Sequence, residues 1–134
     1  MQIDHIGSTS VPGMPGKPCI DLLVQVHDLK CVDDNIEKMK EAGFDYAGEY
    51  VMKDSRLFRV SKDNEILANI HFFPSNHPHV AEMINLRDYF RSHPGEVIAY
   101  SKLKNDLYLK YPNDYESYRK YKDEYMNSLK MRII

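Results

Sequence analysis

Asp21 is an acid in the middle of an apolar strand, and no other feature constrains the fold and use of this chain as tightly. In "CIDLLVQV", Ile20, Leu22, Val24 and Val26 fall on one face, and Cys19, Asp21, Leu23 and Gln25 on the other. That two-residue period is the signature of a strand with one fully apolar side. A carboxylate buried without partners is expensive, so Asp21 requires a cation, hydrogen-bond donors or an open cleft. The preceding stretch, "HIGSTSVPGMPGKP", holds three of the six glycines and three of the seven prolines. Gly7 followed by Ser8, Thr9 and Ser10 at the end of a short strand-like run aims N–H groups and hydroxyls at a common point, as anion-binding corners do. A tight structural turn with capping hydroxyls is the alternative reading. The stretch is not a Walker loop, because Pro18 follows Gly16-Lys17 where a hydroxyl residue would stand.

Further along, Asp28 offers an N-cap to a helix carrying Leu29, Val32, Ile36 and Met39, and Gly43 offers its stop. Three strand-like segments follow: "FDYAGEYVM", "RLFRV" and "ILANIHFF". In the last, Ile66, Ala68, Ile70 and Phe72 share one face, and Leu67, Asn69, His71 and Phe73 the other. After Pro74 the period changes from two to 3.6. Met83, Leu86 and Phe90 form one helical stripe. Val97, Tyr100, Leu103 and Leu107 form a second, behind Pro94 with Ser92 or His93 as cap. Asp114 caps a third helix with Tyr115, Tyr118, Tyr121, Tyr125 and Leu129 on one side. With 134 residues and no linker, this order predicts a single α+β domain over residues 1–134. Its expected form is a small mixed β-sheet with helices packed against it and a C-terminal helical cluster.

A net charge of −2 argues against a general electrostatic grip on nucleic acid, while leaving room for a local basic pocket. The tyrosines of the last helix keep helical spacing with acids between them, which reads as packing rather than base stacking. Cys19 and Cys31 stand apart without metal-knuckle spacing, and "HPH" (His77, His79) reads as a polar loop because no third ligand is in view. No apolar run reaches the roughly 20 residues that span a bilayer, and no charged-then-apolar leader is expected ahead of the first strand. The expectation is a cytoplasmic protein without membrane contact.

The block "HIGSTSVPG" followed by "KPCIDLLV" resembles the GrpB family, of the nucleotidyltransferase-fold superfamily. "NIHFFP" and "LRDYFRSHP…AYSKLKNDL" match later segments of that family in the same order, so the resemblance covers nearly the whole chain. It implies a nucleotidyltransferase-like fold, here apparently without the helix that precedes the first strand in longer relatives. Loss of that helix would leave apolar surface exposed and favour a homo-oligomer. The superfamily chemistry is nucleotidyl transfer with Mg²⁺ or another divalent metal held by an acid–apolar–acid pair and a third acid on a neighbouring strand. Asp21 supplies the first acid. Leu23 stands in place of the second, and Asn69 and His71 stand where the neighbouring strand would contribute, a departure from the family's more usual His-apolar-His.

Two expectations follow from the resemblance and the residues together. In the first, Gly7, Ser8 and Thr9 hold the phosphates of a nucleotide or phosphorylated metabolite. Asp21 and His71 hold the metal or act on the proton, and Lys17, Arg59, Asn69 and Arg87 bind the ligand. In the second, the domain is catalytically degenerate and serves as a ligand-binding or protein-interaction module. GrpB-like domains also occur fused to dephospho-CoA kinases, which makes a coenzyme A-related ligand one to test. By strand phase alone, Asp21, Arg59, Asn69 and His71 fall on one sheet face if their strands are adjacent, which suits an Asp/His single-metal site or an anion pocket more than a two-metal centre. The alternative is an Asp21–Arg59 or Asp21–His71 pair satisfied within the sheet face.

Overall fold

The two segments with the clearest alternation become the central strands of a five-stranded sheet. In the computed structural model, which describes residues 1–15 and 19–133, the strands are β1 (Gln2–Ile6), β2 (Ile20–Val26), β3 (Asp45–Gly48), β4 (Arg56–Lys62) and β5 (Glu65–Pro74). Their order is β1-β2-β5-β4-β3, with β2 and β5 parallel and every other pair antiparallel, so the expected mixed sheet is present. A two-residue turn at Asp63 and Asn64, both with positive φ, joins β4 to β5, as a tight hairpin requires. The third strand is shorter than the sequence suggests: it stops at Gly48, where the pairing bulges and φ is +65°, and Tyr50 and Val51 are left exposed.

One face of the sheet is closed by the crossover between β2 and β5. Val24, Val26, Phe58 and Ile70 pack there with Val32, Ile36 and Met39. The single helix expected over this stretch is two short ones, α1 (Lys30–Asp33) and α2 (Ile36–Glu41). The cause is local. Asn35 donates its side-chain amide to the carbonyl of Cys31 at 2.6 Å, the acceptor its own N–H would use in a continuous helix, and that N–H turns to Val32 instead. Asp28 caps α1 through Lys30 N. At the end of α2 the N–H groups of Gly43 and Phe44 bond back to Lys40 and Met39, the Schellman pattern, with Gly43 at φ +100°. Ile3, Ile20 and Ile66, on the same sheet face but away from these helices, stay 59%, 47% and 42% exposed.

The opposite face carries the helical cluster α3 (Pro78–Ser92), α4 (Pro94–Lys110) and α5 (Tyr115–Ile133). His77 does not behave as a loop residue: its Nδ1 accepts from His79 N and caps α3 ahead of Pro78. Under α3, Leu23 and Phe73 are fully buried together with Ile6 and Val80. Farther out, Val11, Phe90, Val97, Tyr100 and Leu129 form a separate core inside the cluster. Asp114 caps α5 through Ser117 N, as read from the sequence. Its tyrosines divide, however. Tyr125 stacks on Tyr100 at 5.4 Å, whereas Tyr115 and Tyr121 remain 69% and 40% exposed. Among the described residues no helix is long and apolar enough to cross a membrane.

Candidate functional site

A cleft of about 540 Å³ separates the sheet from the helical cluster, within the range of roughly 300–1,000 Å³ usual for small-molecule sites. Its floor is the end of β1, the corner after it, and the two central strands. Gly7 adopts φ 77° and ψ −175°, a backbone region open essentially to glycine alone. A Cβ there would lie 2.7 Å from Asp21 Oδ2, so the corner can approach the carboxylate only because the residue is glycine. A 3₁₀ turn, Ser8–Ser10, follows, closed by Ser10 N and Oγ on the Gly7 carbonyl at 3.1 and 2.6 Å.

Register brings the predicted polar residues together. Asp21 pairs laterally with Asn69 and Asn69 with Arg59, while His71 lies one step farther along β5. Of the two satisfied forms open to Asp21, the histidine pair is present: His71 Nε2 and Asp21 Oδ1 are 3.2 Å apart. The tautomer protonated at Nε2 donates to the carboxylate; His71 Nδ1 is buried with no hydrogen-bond partner. Arg59 instead donates to Asn69 Oδ1 at 3.2 Å and lies over the ring of Tyr50. Asn69 in turn donates to Cys19 Sγ. Asp21, His71, Gly7, Ser8 and Arg87 line the cleft. Asn69 lines a neighbouring depression of about 720 Å³ that shares Ser8 and Asp21 with it. Thr9 bonds to the His5 ring at 2.9 Å. Lys17 lies outside the described residues.

The two arginines of α3 hold this corner in place. Arg87 Nη1 donates to Asp4 Oδ1 and to the His5 carbonyl, both at 3.2 Å, and Arg91 Nε donates to the Ser10 carbonyl at 2.9 Å. Burial works against the charge of Arg87, but its bonds to Asp88 and Asp4 together outweigh that and raise its pKa.

The cleft's far wall contains two lysines outside the expected site residues, beside two tyrosines expected only as packing residues. Tyr100 and Lys104 of α4 and Tyr118 and Lys122 of α5 face the same space. Lys104 lies over the Tyr100 ring at 4.7 Å and donates to the Pro15 carbonyl at 3.0 Å; Lys122 lies over the Tyr118 ring. Burial, and then the positive charge of Lys122, hold the Lys104 pKa below the ordinary lysine value. Burial pushes the Tyr100 hydroxyl up to about 12. A signal for both lysines was present in the sequence: Lys104 falls between Tyr100 and Leu107 on an inward stripe, and Lys122 between Tyr118 and Leu129. A charge inside an apolar helical seam poses the question that Asp21 poses inside a strand.

The family model described as GrpB protein matches residues 1–132. The chain belongs to the GrpB family. It is 34% identical over 136 residues to the glutamate-rich protein GrpB of Alkalihalophilus pseudofirmus, covering 95% of this chain and 75% of that one. It is 33% identical over 126 residues to UPF0157 protein YqkA of Bacillus subtilis, covering 94% of this chain and 36% of that one, so this GrpB chain spans about a third of YqkA. The crystal structure of GrpB from Enterococcus faecalis superposes with a TM-score of 0.87 at 28% identity, over 99% of this chain and 79% of that one. The expected α+β fold is therefore shown.

The divalent metal implied by the superfamily does not fit the donors that this GrpB chain provides. Leu23, at the place of the second acid, is 0% exposed and packed in the core beneath α3. Asn69 spends both side-chain atoms on Arg59 and Cys19. Among the described residues, no three His, Cys, Asp or Glu side chains come together as a metal site. Asp21 and His71 remain as a pair, one carboxylate and one imidazole, fewer protein ligands than the two-carboxylate arrangement of the superfamily.

Proposed function

We propose that this GrpB domain binds a nucleotide or a phosphorylated metabolite in the cleft between sheet and helical cluster, as a catalytically reduced member of the nucleotidyltransferase fold. The observation that carries the reading is the charge of the cleft. In a chain of net charge −2, its described lining holds Lys104 and Lys122, which have no carboxylate partner among the described ion pairs, and Arg87, which is paired with Asp4 and Asp88, against one acid, Asp21. Like charges facing one cavity lower each other's stability unless an anion fills it. Apart from Gly7, Ser8 and His71, the remaining lining is apolar and aromatic, including Met14, Met83, Phe90 and Tyr118, which suits a ligand with a nonpolar body and a charged end. The buried Leu23 favours binding over transfer, since one carboxylate cannot organise the superfamily's two-metal chemistry.

The test is a thermal-shift panel of nucleoside triphosphates and phosphorylated coenzyme A precursors beside their unphosphorylated parents. One phosphorylated compound is expected to raise the melting temperature in a saturable way while its parent does not. Equal shifts from both, or none from any compound, would overturn the anion reading.

A further inference from the structure

We infer that in this chain Lys104 and Lys122 take the place of a divalent cation: they meet a pyrophosphate-like group directly, and anion binding at the cleft is independent of metal. The inference rests on the phosphate-ligand reading and names the residues that make the charge contact.

Three observations carry it. The carboxylate that would have shared a metal is replaced by Leu23, which is fully buried with Phe73, Ile6 and Val80. The site therefore lacks the negative charge that a bound cation would balance. The remaining carboxylate has a partner of its own, because His71 Nε2 reaches Asp21 Oδ1 and the other ring nitrogen is sealed in the protein. Positive charge comes instead from the opposite wall. Lys104 and Lys122 stand on different helices and face one cavity, close enough for the charge of one to bear on the other.

Neither ammonium group forms an ion pair with a carboxylate among the described residues. Lys104 Nζ donates to a neutral carbonyl, that of Pro15, and both lie over tyrosine rings. Arg87 is differently placed, with its guanidinium committed to Asp4, Asp88 and the His5 carbonyl. Among the three cations, the lysines are the two without a carboxylate partner among the described ion pairs. Two ammoniums on facing helices match a dianionic or polyphosphate group better than a single carboxylate, since Lys122 can donate up to three hydrogen bonds to separate oxygens and Lys104 up to two beyond its bond to Pro15. The tyrosine faces beneath them hold the side chains in place without cancelling their charge.

The test is calorimetric titration of the whole chain with inorganic pyrophosphate, once in EDTA and once in excess Mg²⁺, for wild type, K104M/K122M and K104R/K122R. Methionine keeps the aliphatic stem over the ring, and each variant's melting transition reports that it is folded. Wild type is expected to bind in EDTA at least as tightly as in Mg²⁺. K104M/K122M is expected to lose roughly tenfold in affinity per charge removed, with no rescue by Mg²⁺, and the arginine pair to retain binding. Binding that appears only with Mg²⁺, or that survives in folded K104M/K122M, overturns the inference and leaves the phosphate-ligand reading standing. No binding of pyrophosphate under either condition overturns both.

Discussion

The two faces of the sheet are built from the same strands and do different work. On one, Val24, Val26, Phe58 and Ile70 are closed over by two short helices into an apolar core. On the other, Leu23 and Phe73 continue the core beneath α3, and one step along their strands Asp21 and His71 open into a cleft with three cations in its lining. The change from core to site takes two residues of β2, from Leu23 to Asp21. Where α3 covers the sheet, the alternating position must be apolar; where the helical cluster stands off, a carboxylate is tolerated and its partners come from β5.

The sharpest way to break that comparison is to move the acid by one step. Leu23→Asp restores the acid–apolar–acid spacing of the superfamily but puts a carboxylate where the side chain is 0% exposed. It is expected to cost at least about 4 kcal/mol in denaturant unfolding, or to prevent folding. Asp21→Asn, in the part-buried position, is expected to change stability by less than about 1 kcal/mol. Similar costs at the two positions would show that the face is not divided.

Gly7→Ala probes the point where corner and carboxylate touch. The positive φ and the approach to Asp21 Oδ2 together predict a loss of about 1–3 kcal/mol in the same assay. Adding Asp21→Ala should recover the part due to the close approach and not the part due to backbone strain, so a double-mutant cycle separates the two.

A smaller effect lies in the helical cluster. Glu96 on α4 accepts from Tyr125 at 2.6 Å and from Tyr89 at 3.3 Å, and pairs with Arg132 at 3.1 Å, joining three helices. The Tyr125 bond first, and the Arg132 charge after it, hold the Glu96 pKa down against burial. A depressed acid stabilises the fold fully above its unfolded value of about 4.3 and loses that contribution as pH falls through the folded value. Glu96→Gln should therefore be less stable than wild type at neutral pH and approach it as pH drops below about 4. A constant difference across that range would contradict the assignment.

The smallest expected effect is on the uncovered half of the apolar face. The uncovered face predicts self-association of the wild type in sedimentation equilibrium, and Ile3→Lys should shift that distribution towards monomer while leaving unfolding stability within about 0.5 kcal/mol. An unchanged distribution would remove that surface as the basis for association.

Much of the fold was legible because it rests on local signals. The alternation of β2 and β5, the change of period after Pro74, and the caps at Asp28, Gly43 and Asp114 each act within a few residues. The break at Asn35 was less legible, because it depends on a side-chain amide capturing one particular carbonyl. On the site, Asp21 and His71 were readable as polar residues on inward phases, and the sheet register joins them. Spacing marks Lys104 and Lys122 as charges within apolar helical seams, but their meeting in one cleft depends on how α4 and α5 lean over the sheet, a long-range arrangement that spacing alone does not specify. Arg87 was readable as a cation bordering the cleft, but its commitment to Asp4 depends on β1 lying beneath α3.

The most direct measurement is a two-dimensional amide NMR titration of the isotope-labelled chain with ATP in EDTA. The account predicts saturable shifts concentrated at Gly7 and Ser8 and along Lys104 and Tyr118–Lys122, with the core residues around Val26 and Phe58 quiet. Shifts clustered on the uncovered sheet face around Ile3 and Ile66, or none at saturating ATP with every other nucleotide equally silent, would contradict it.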